Sequence, residues 1–133
     1  MAMYLLDTNI ISDLIKNPDG CVTRKIRDAS EARIATSIIV AAELRYGAQK
    51  RGSARLSAHV EAVLSAITIL PWDTPCDVHY GKIRAALEAN GTMIGANDRL
   101  IAAQALALSR TLVTDNVAEF GRVEGLSMEN WLR

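Results

Sequence analysis

The sequence has few of the residues on which disulfide-linked and zinc-binding domains depend. Its only cysteines, Cys21 and Cys76, lie far apart in the chain and form no C-x-x-C pair. Neither a disulfide framework nor a zinc site is therefore expected, and reduced thiols in the cytosol are the simpler interpretation. A signal peptide and an apolar run long enough to cross a membrane are also missing. The sequence thus predicts a soluble, cytoplasmic protein without a membrane partner.

An excess of charge of one sign is missing as well. Lys and Arg number 15, Asp and Glu also number 15, and the formal net charge is zero. This balance argues against a protein that holds nucleic acid by bulk charge alone, although it allows a local basic rim around an acidic pocket. Self-association is favoured, because little charge repulsion opposes it. With 133 residues, half of them hydrophobic, the chain is expected to form one domain over residues 1–133.

Short apolar runs alternate along the chain with stretches of helical periodicity. Strands are predicted at 4–6, 33–36, 68–71 and 111–114, with an edge strand expected within 126–131. Helices are predicted at 10–16, 22–30, 38–46, 56–67, 74–90, 99–109 and 117–120. Strands that alternate with helices are typical of an α/β fold with a parallel sheet and right-handed crossovers.

Several helix ends carry local signals. The helix at 38–46 is expected to end at Gly47, because glycine suits the left-handed position after a helix. A basic connector at 49–54 and the helix at 56–67 follow, and together they predict a helical hairpin that projects from the sheet. Pro75 is expected in the first turn of its helix.

Acidic and amide side chains stand at four separate points of this pattern. Asp7 follows the first strand, Glu43 lies in an apolar helix, Asp98 begins a helix, and Asp115 and Asn116 follow a late strand. The carboxyl ends of parallel strands meet at one edge of a sheet, where such folds bind ligands. Oxygen ligands converging there suit Mg²⁺ or Mn²⁺. Such an ion supports phosphodiester hydrolysis by activating water and neutralising the phosphate.

Each of these positions also has a purely structural interpretation. Asp7 and Asp98 can cap helices, and Glu43 can pair with a base three or four residues away. His59 and His79 both lie in amphipathic helices, where surface or packing roles are expected. A Ser-His-Asp triad is therefore not credible.

Four motifs in order resemble those of the PIN-domain ribonucleases. They are LDTN at 6–9, AELRYG at 42–47, GAND at 95–98 with LIAA at 100–103, and LVTDN at 112–116 with EF at 119–120. Their order and spacing most resemble the VapC toxins of type II toxin–antitoxin modules, over essentially the whole chain. The resemblance implies a three-layer α/β/α domain with a parallel sheet of four to five strands. It also implies a Mg²⁺-dependent endoribonuclease, with Mn²⁺ as the alternative ion.

Matching the motifs position by position assigns roles to individual residues. The catalytic set implied by the resemblance is Asp7, Glu43, Asp98 and Asn116, with Asp7 and Asp98 as metal ligands. Asn116 stands where the family usually has a fourth acid, so the fourth group stays open. Supporting or fourth-site candidates are Asn9, Thr114, Asp115 and Glu119. Candidate RNA contacts near the acidic motifs are Arg45, Arg51 and Arg99.

The resemblance also implies partners. They are an RNA substrate, expected to be tRNA, a second copy of the chain in a homodimer, and a VapB-like antitoxin. The antitoxin would wrap the toxin, insert an Arg or Lys near the acids, and carry a larger assembly to operator DNA.

Three alternatives compete with this interpretation. A catalytically impaired relative that acts through antitoxin binding is the most serious one, because of Asn116. A nucleotide-binding module needs a glycine-rich loop after the first strand, and Thr8 and Asn9 stand there instead. A receiver-type phosphoacceptor needs a paired acid near Asp7 and a late lysine, yet no lysine follows Lys82.

Overall fold

A five-stranded sheet with helices between its strands forms the framework of the protein. The structure is a computed structural model that describes residues 2–132. The strands are β1 (Tyr4–Leu6), β2 (Ile34–Ser37), β3 (Thr68–Leu70), β4 (Thr111–Val113) and β5 (Met128–Glu129). The helices are α1 (Thr8–Lys16), α2 (Cys21–Ala29), α3 (Ile38–Arg51), α4 (Ala54–Ala66), α5 (Cys76–Ala89), α6 (Ala96–Ala107) and α7 (Val117–Phe120), with a 3-10 turn at Glu31–Arg33.

The sheet has the strand order β3-β2-β1-β4-β5, and every neighbouring pair is parallel. Leu6 at the end of β1 lies beside Thr36 of β2 and Val113 of β4. Leu5 and Leu6 are fully buried, which explains why this strand is a continuous apolar run. The predicted α/β class with a parallel sheet is confirmed, and β5 confirms the expected edge strand.

The chain reverses its direction across the sheet once. From β1 it proceeds to β2 and β3 on one side, and it then returns to the other side of β1 for β4 and β5. The right-handed crossovers usual between parallel strands would place the helices that follow β1 and β2 on one face and those that follow β3 on the other. In agreement, α1 contacts α2, α3 and α4, and α5 contacts α6. The reversal lies between β1 and β4, and open α/β sheets bind ligands at the carboxyl ends of the strands at this point.

The core surrounds the central strands. Helix α6 is apolar nearly all round, as its sequence predicts, and its residues 101–105 are buried. One of them, Gln104, is polar, and its amide donates hydrogen bonds to the carbonyls of Leu70 and Pro71 at 3.2 and 2.9 Å. This side chain thereby joins α6 to the end of β3. No helix within residues 2–132 is long and apolar enough to span a membrane.

The prediction that the third helix ends at Gly47 is wrong. Helix α3 continues through Gly47 to Arg51 and ends at Gly52, whose φ of 65° is the left-handed conformation expected after a helix. A glycine inside a helix lowers stability by about 1 kcal/mol but does not stop the helix when good helix formers follow. The predicted basic connector shrinks accordingly to two residues, Gly52 and Ser53, and the Ser53 hydroxyl caps α4. Helices α3 and α4 form the predicted hairpin.

The starts of α6 and α5 also differ from the prediction. Helix α6 begins at Ala96 with Gly95 in the cap position, so Asp98 is its third residue rather than its first. Pro75 precedes α5 instead of lying in its first turn. The start of α6 is displaced by three residues and that of α5 by two, because local capping signals do not fix a boundary that tertiary packing also decides.

Candidate active site

Asp7 lies directly after β1, at the sheet position where the chain reverses its direction. Only 5% of the residue is exposed. Its Oδ1 accepts a hydrogen bond from the Thr8 N–H at 2.8 Å, so Asp7 does cap α1, as its structural interpretation holds. Its Oδ2 accepts one from the Thr114 hydroxyl at 2.8 Å, which ties the same carboxylate to the end of β4. Burial raises the pKa of Asp7, against the lowering effect of these two hydrogen bonds.

Glu43 reaches the same place from α3. Its Oε2 accepts a hydrogen bond from the Thr8 hydroxyl at 2.9 Å. Thr8 therefore holds two acids at once, Asp7 through its N–H and Glu43 through its hydroxyl. Within residues 2–132 Glu43 forms no ion pair, so the interpretation of Glu43 as half of a helix salt bridge does not hold.

Asp98 approaches from α6 and has the most perturbed acidity of the group. Its pKa rises from 3.8 to about 7. The largest cause is burial, which removes water from the charged carboxylate, and the next is the like charge of Asp7 and Glu119 nearby. The charge of Glu43 acts in the same direction. Asp98 is not the helix cap, since Gly95 occupies that position. Burial and crowding with other acids together therefore set the environment of Asp98.

Asn116 and Glu119 together occupy the position of the fourth group of the site. The Asn116 amide donates a hydrogen bond to Oε2 of Glu119 at 2.7 Å, and the Gly95 N–H donates to Oε1 at 2.7 Å. These bonds lower the pKa of Glu119, with the Gly95 bond as the larger cause. A Cβ added at Gly95 would lie 3.6 Å from both Oδ2 of Asp98 and Oε1 of Glu119. The structure therefore places a carboxylate beside the amide at the fourth position.

The remaining supporting candidates separate into two groups. Thr114 is buried and binds Asp7, and its hydroxyl also accepts a hydrogen bond from the Asn116 N–H at 3.0 Å. Asp115 does not line the cavity described below, and its Oδ1 accepts a hydrogen bond from the Asn130 amide at 2.9 Å. Asn9 connects to this region through its Oδ1, which accepts from the Asp115 N–H at 3.4 Å.

All four residues of the predicted catalytic set line one cavity of about 480 Å³. Its other lining residues are Thr8, Asn9, Ser12, Asp13, Lys16 and Leu132. Sequence reasoning missed Thr8, Ser12 and Lys16. Their spacing of four along α1 was a usable signal, because it places them on one face of that helix. A second cavity of about 360 Å³ between α1, α2 and α4 is mostly apolar and holds none of these acids.

The three predicted RNA contacts have different surroundings. Arg45 forms a two-pronged salt bridge with Glu61 across the helical hairpin, at 2.9 and 3.0 Å. Arg99 donates a hydrogen bond to the Ile94 carbonyl at 2.7 Å and is partly buried. Arg51 is exposed and lines a cavity of about 270 Å³ that also includes Glu43. Of the three, only Arg51 lines a cavity shared with a predicted catalytic residue.

The donor set of the site suits a hard divalent cation. It consists of carboxylate oxygens from Asp7, Glu43, Asp98 and Glu119, the ligand type that Mg²⁺ and Mn²⁺ prefer. The raised pKa values of Asp7 and Asp98 indicate acids that a bound cation would stabilise. Within residues 2–132, no three His, Cys, Asp or Glu side chains stand as a ready-made metal cluster. Each of Asp7, Glu43 and Glu119 is instead held by N–H or O–H donors.

Comparisons with known proteins agree with this architecture. The family model described as PIN domain matches residues 4–126. Ribonuclease VapC2 of Rickettsia felis is 40% identical over 131 residues, which cover 97% of this chain and 98% of that protein. The tRNA(fMet)-specific endonuclease VapC of Salmonella typhimurium is 36% identical over 132 residues, covering 98% and 99% of the two chains.

Two solved structures are similar over the same extent. The structure of VapBC2 from Rickettsia felis, bound to a DNA fragment from its promoter, superposes with a TM-score of 0.88 and 36% identity, over 97% of this chain and 98% of that one. The DNA-bound VapBC of Salmonella typhimurium superposes with a TM-score of 0.90 and 36% identity, over 98% and 99%.

Proposed function

Because this chain belongs to the PIN-domain family and, within it, to the VapC ribonucleases, we propose that it is an endoribonuclease toxin of a type II toxin–antitoxin module. It hydrolyses RNA phosphodiester bonds and inhibits translation until an antitoxin neutralises it. The observation that carries the proposal is the convergence of Asp7, Glu43, Asp98 and Asn116 on one cavity at the carboxyl ends of β1 and β4. One cytoplasmic domain over residues 1–133 is part of the same proposal.

PIN-domain ribonucleases generally depend on a divalent metal, and we assign Mg²⁺ here, with Mn²⁺ as the alternative. Asp7 and Asp98 would hold the ion, and Glu43 and Glu119 would complete its surroundings. When bound, the ion supplies charge neutralisation at the phosphate and lowers the pKa of water. Thr8 and Thr114 orient the Asp7 carboxylate, while Gly95 and Asn116 orient that of Glu119. Preorganised acids of this kind need little rearrangement during the reaction.

The expected products follow from the nucleophile. Water attacks the phosphorus atom and the bond from phosphorus to the 3′ oxygen breaks, which leaves a 5′-phosphate and a 3′-hydroxyl. The neighbouring ribose 2′-hydroxyl takes no part, so 2′,3′-cyclic phosphate ends are not expected.

The substrate class and the partners of the proposal come from the relatives. One relative is named as specific for tRNA(fMet), which supports tRNA as the substrate class here. Two similar structures are toxin–antitoxin complexes with DNA, which supports a VapB-like antitoxin and an assembly that reaches operator DNA through it. A homodimer of this chain completes the proposed assembly.

The test is cleavage of labelled tRNA by the purified protein, with Mg²⁺ and with EDTA, followed by analysis of the product ends. Asp7→Asn should abolish cleavage. Glu119→Gln should lower it at least tenfold if Glu119 serves as the fourth acid. Glu124→Gln, an exposed change nearby, is the matched control. Cleavage in excess EDTA, or cyclic phosphate ends, would contradict the mechanism.

The cleavage assay of the wild type also decides between the proposal and its rival, a catalytically impaired antitoxin-binding relative. Asn116 alone would favour the impaired form. The Glu119 carboxylate beside Asn116 restores an acid to that position and favours the active form. Wild-type protein that binds an antitoxin but shows no cleavage with either Mg²⁺ or Mn²⁺ would establish the rival.

A further inference from the structure

Gly47 occupies an unusual place, in the interior of α3. A glycine there is a poorer helix former than alanine. Its backbone needs no special conformation, since it is not among the positive-φ residues. A Cβ added at Gly47 would meet no atom within 4 Å, so close packing does not require a glycine either. The missing side chain instead leaves open space above the helix.

That space belongs to a groove between α1 and α3. Glu43, Gly47 and Arg51 are four residues apart and form one row along α3. Thr8, Ser12 and Lys16 form the corresponding row along α1, which packs against α3. All six residues line a single cavity of about 270 Å³, and the small residues Ser12 and Gly47 stand at its middle.

The two ends of the groove differ in charge. At one end the Thr8 hydroxyl binds Glu43. These two residues, like Ser12 and Lys16 of the α1 row, also line the cavity of the proposed catalytic acids. At the other end are the cations Lys16 and Arg51, eight residues further along each helix, which corresponds to about 12 Å. Both cations are exposed, and neither forms an ion pair within residues 2–132. Between the ends, Leu44, Leu56 and Val60 supply an apolar floor.

From this arrangement we propose that the groove binds one nucleotide of the RNA substrate, next to the phosphate that is cleaved. The inference rests on the proposed function. The base lies at the middle of the groove, over Gly47 and Ser12, and Lys16 and Arg51 bind the following phosphate. The groove matches a nucleotide, because its apolar floor suits the flat base and the cations at its far end suit the charged phosphate. Continuity with the acidic cavity brings the neighbouring phosphate to the catalytic acids.

The groove explains how a chain of zero net charge can bind RNA. The acids repel phosphate, so the binding energy must come from beside them. A base in the apolar part of the groove contributes binding energy without any charge. The two cations add a local electrostatic contribution.

The decisive variants add a side chain at the middle of the groove. Gly47→Ala and Gly47→Leu should raise Tm, because both residues are better helix formers and their side chains enter open space. They should nevertheless weaken binding of a short single-stranded RNA in EDTA, about tenfold or more for leucine. Gly81→Ala and Gly81→Leu are matched controls, since Gly81 is an exposed glycine inside α5 whose added Cβ also meets nothing. These controls should raise Tm and leave RNA binding unchanged.

Two further measurements separate the base from the phosphate. An RNA with abasic sites should bind the wild type more weakly than the intact RNA does. Replacement of Gly47 by leucine should lower its affinity by a smaller factor than that of the intact RNA. Lys16→Gln should lower the slope of log K against log salt by about 0.7, the value for one phosphate contact with single-stranded RNA. Lys25→Gln, an exposed change on α2, should leave that slope unchanged.

The outcomes are distinguishable from failure of the proposed function. Gly47→Leu protein that is more stable yet binds and cleaves RNA like the wild type overturns the groove and leaves the function standing. A Tm of the Gly47→Leu protein below that of the wild type also overturns the proposed groove, because the space over Gly47 would then not be open. Loss of antitoxin binding with RNA binding intact would assign the groove to a peptide instead. Wild-type protein that neither binds nor cleaves RNA removes the function and the groove together.

Discussion

At the scale of single residues, crowding of like charge distinguishes the acids of the cavity from helix caps. Asp7 is both a cap and a member of the cluster, so the two interpretations coexist at that residue. At Asp98 they separate, because the residue is not a cap and its pKa lies at about 7. A carboxyl whose only role was to cap would hold a charge more easily when folded, and its pKa would move downward.

The pH dependence of stability tests this crowding. The pKa of Asp98 is 3.8 when unfolded and about 7 when folded, so the folded protein binds its proton more tightly. The resulting stabilisation is complete below about pH 4 and is lost as the pH rises through about 7. In EDTA, the Tm of the wild type should therefore fall relative to that of Asp98→Asn between these two pH values. Thermal melts across this range measure the difference.

A matched substitution on the surface gives the control for that experiment. Asp28→Asn alters an exposed carboxyl on α2, far from the acids in sequence, and should melt in parallel with the wild type at every pH. If the Asp98→Asn protein also parallels the wild type, the acids are not crowded in solution and the proposed metal site loses its electrostatic basis.

At the scale of secondary-structure elements, the site depends on contacts between segments that are distant in sequence. Thr8 and Glu43 are 35 residues apart, and their hydrogen bond joins the start of α1 to the middle of α3. Thr114 and Asp7 are 107 residues apart, and their bond joins the ends of β4 and β1. These links hold the acids in place because each element is itself fixed by the buried sheet.

Thr8→Val tests the link between α1 and α3. Valine keeps the shape of threonine but removes the hydroxyl, so the Glu43 carboxylate loses its donor while the Asp7 cap remains. The value of kcat for RNA cleavage should fall about tenfold, with a loss of stability of about 1 kcal/mol. Thr8→Ser, which retains a hydroxyl, should restore most of the rate.

Thr68→Val on the exposed edge strand β3 is the control, since it makes the same chemical change away from the site. Full activity of Thr8→Val, or failure of Thr8→Ser to recover what Thr8→Val loses, would show that the hydroxyl does not position Glu43.

The elements also show which features the sequence could predict. β1, β4 and α6 were predictable because complete burial demands a continuous apolar run, and such a run is visible locally. The end of α3 was not, since Gly47 and Gly52 both look like stops and only the folded hairpin distinguishes them. The same limit applies to Glu119: its spacing from Asn116 is visible, but its bond to the Gly95 N–H crosses between two helices. Motif resemblance supplied the proposed catalytic set, and tertiary contact supplied the residues that orient it.

At the scale of the whole molecule, the proposed metal site would connect ion binding to global stability. The strand order brings the acids together at the reversal point of the sheet, so folding itself creates the repulsion between them. An ion that binds only the folded state stabilises it by RT ln(1 + [Mg²⁺]/Kd), which is about 2.7 kcal/mol at one hundred times Kd. The unfolded chain has no such site, because its acids lie far apart in sequence.

Addition of Mg²⁺ should therefore raise the Tm of the wild type, and the rise should follow this logarithmic law. Asp98→Asn protein starts from a higher Tm in EDTA at neutral pH, since one of the repelling charges is gone. It should gain much less from Mg²⁺, because it has lost a ligand of the proposed site. Asp28→Asn should behave like the wild type. NaCl added to the same ionic strength as the Mg²⁺ salt controls for general screening. Equal gains for the wild type and Asp98→Asn would mean that the ion binds elsewhere and that Asp98 is not one of its ligands.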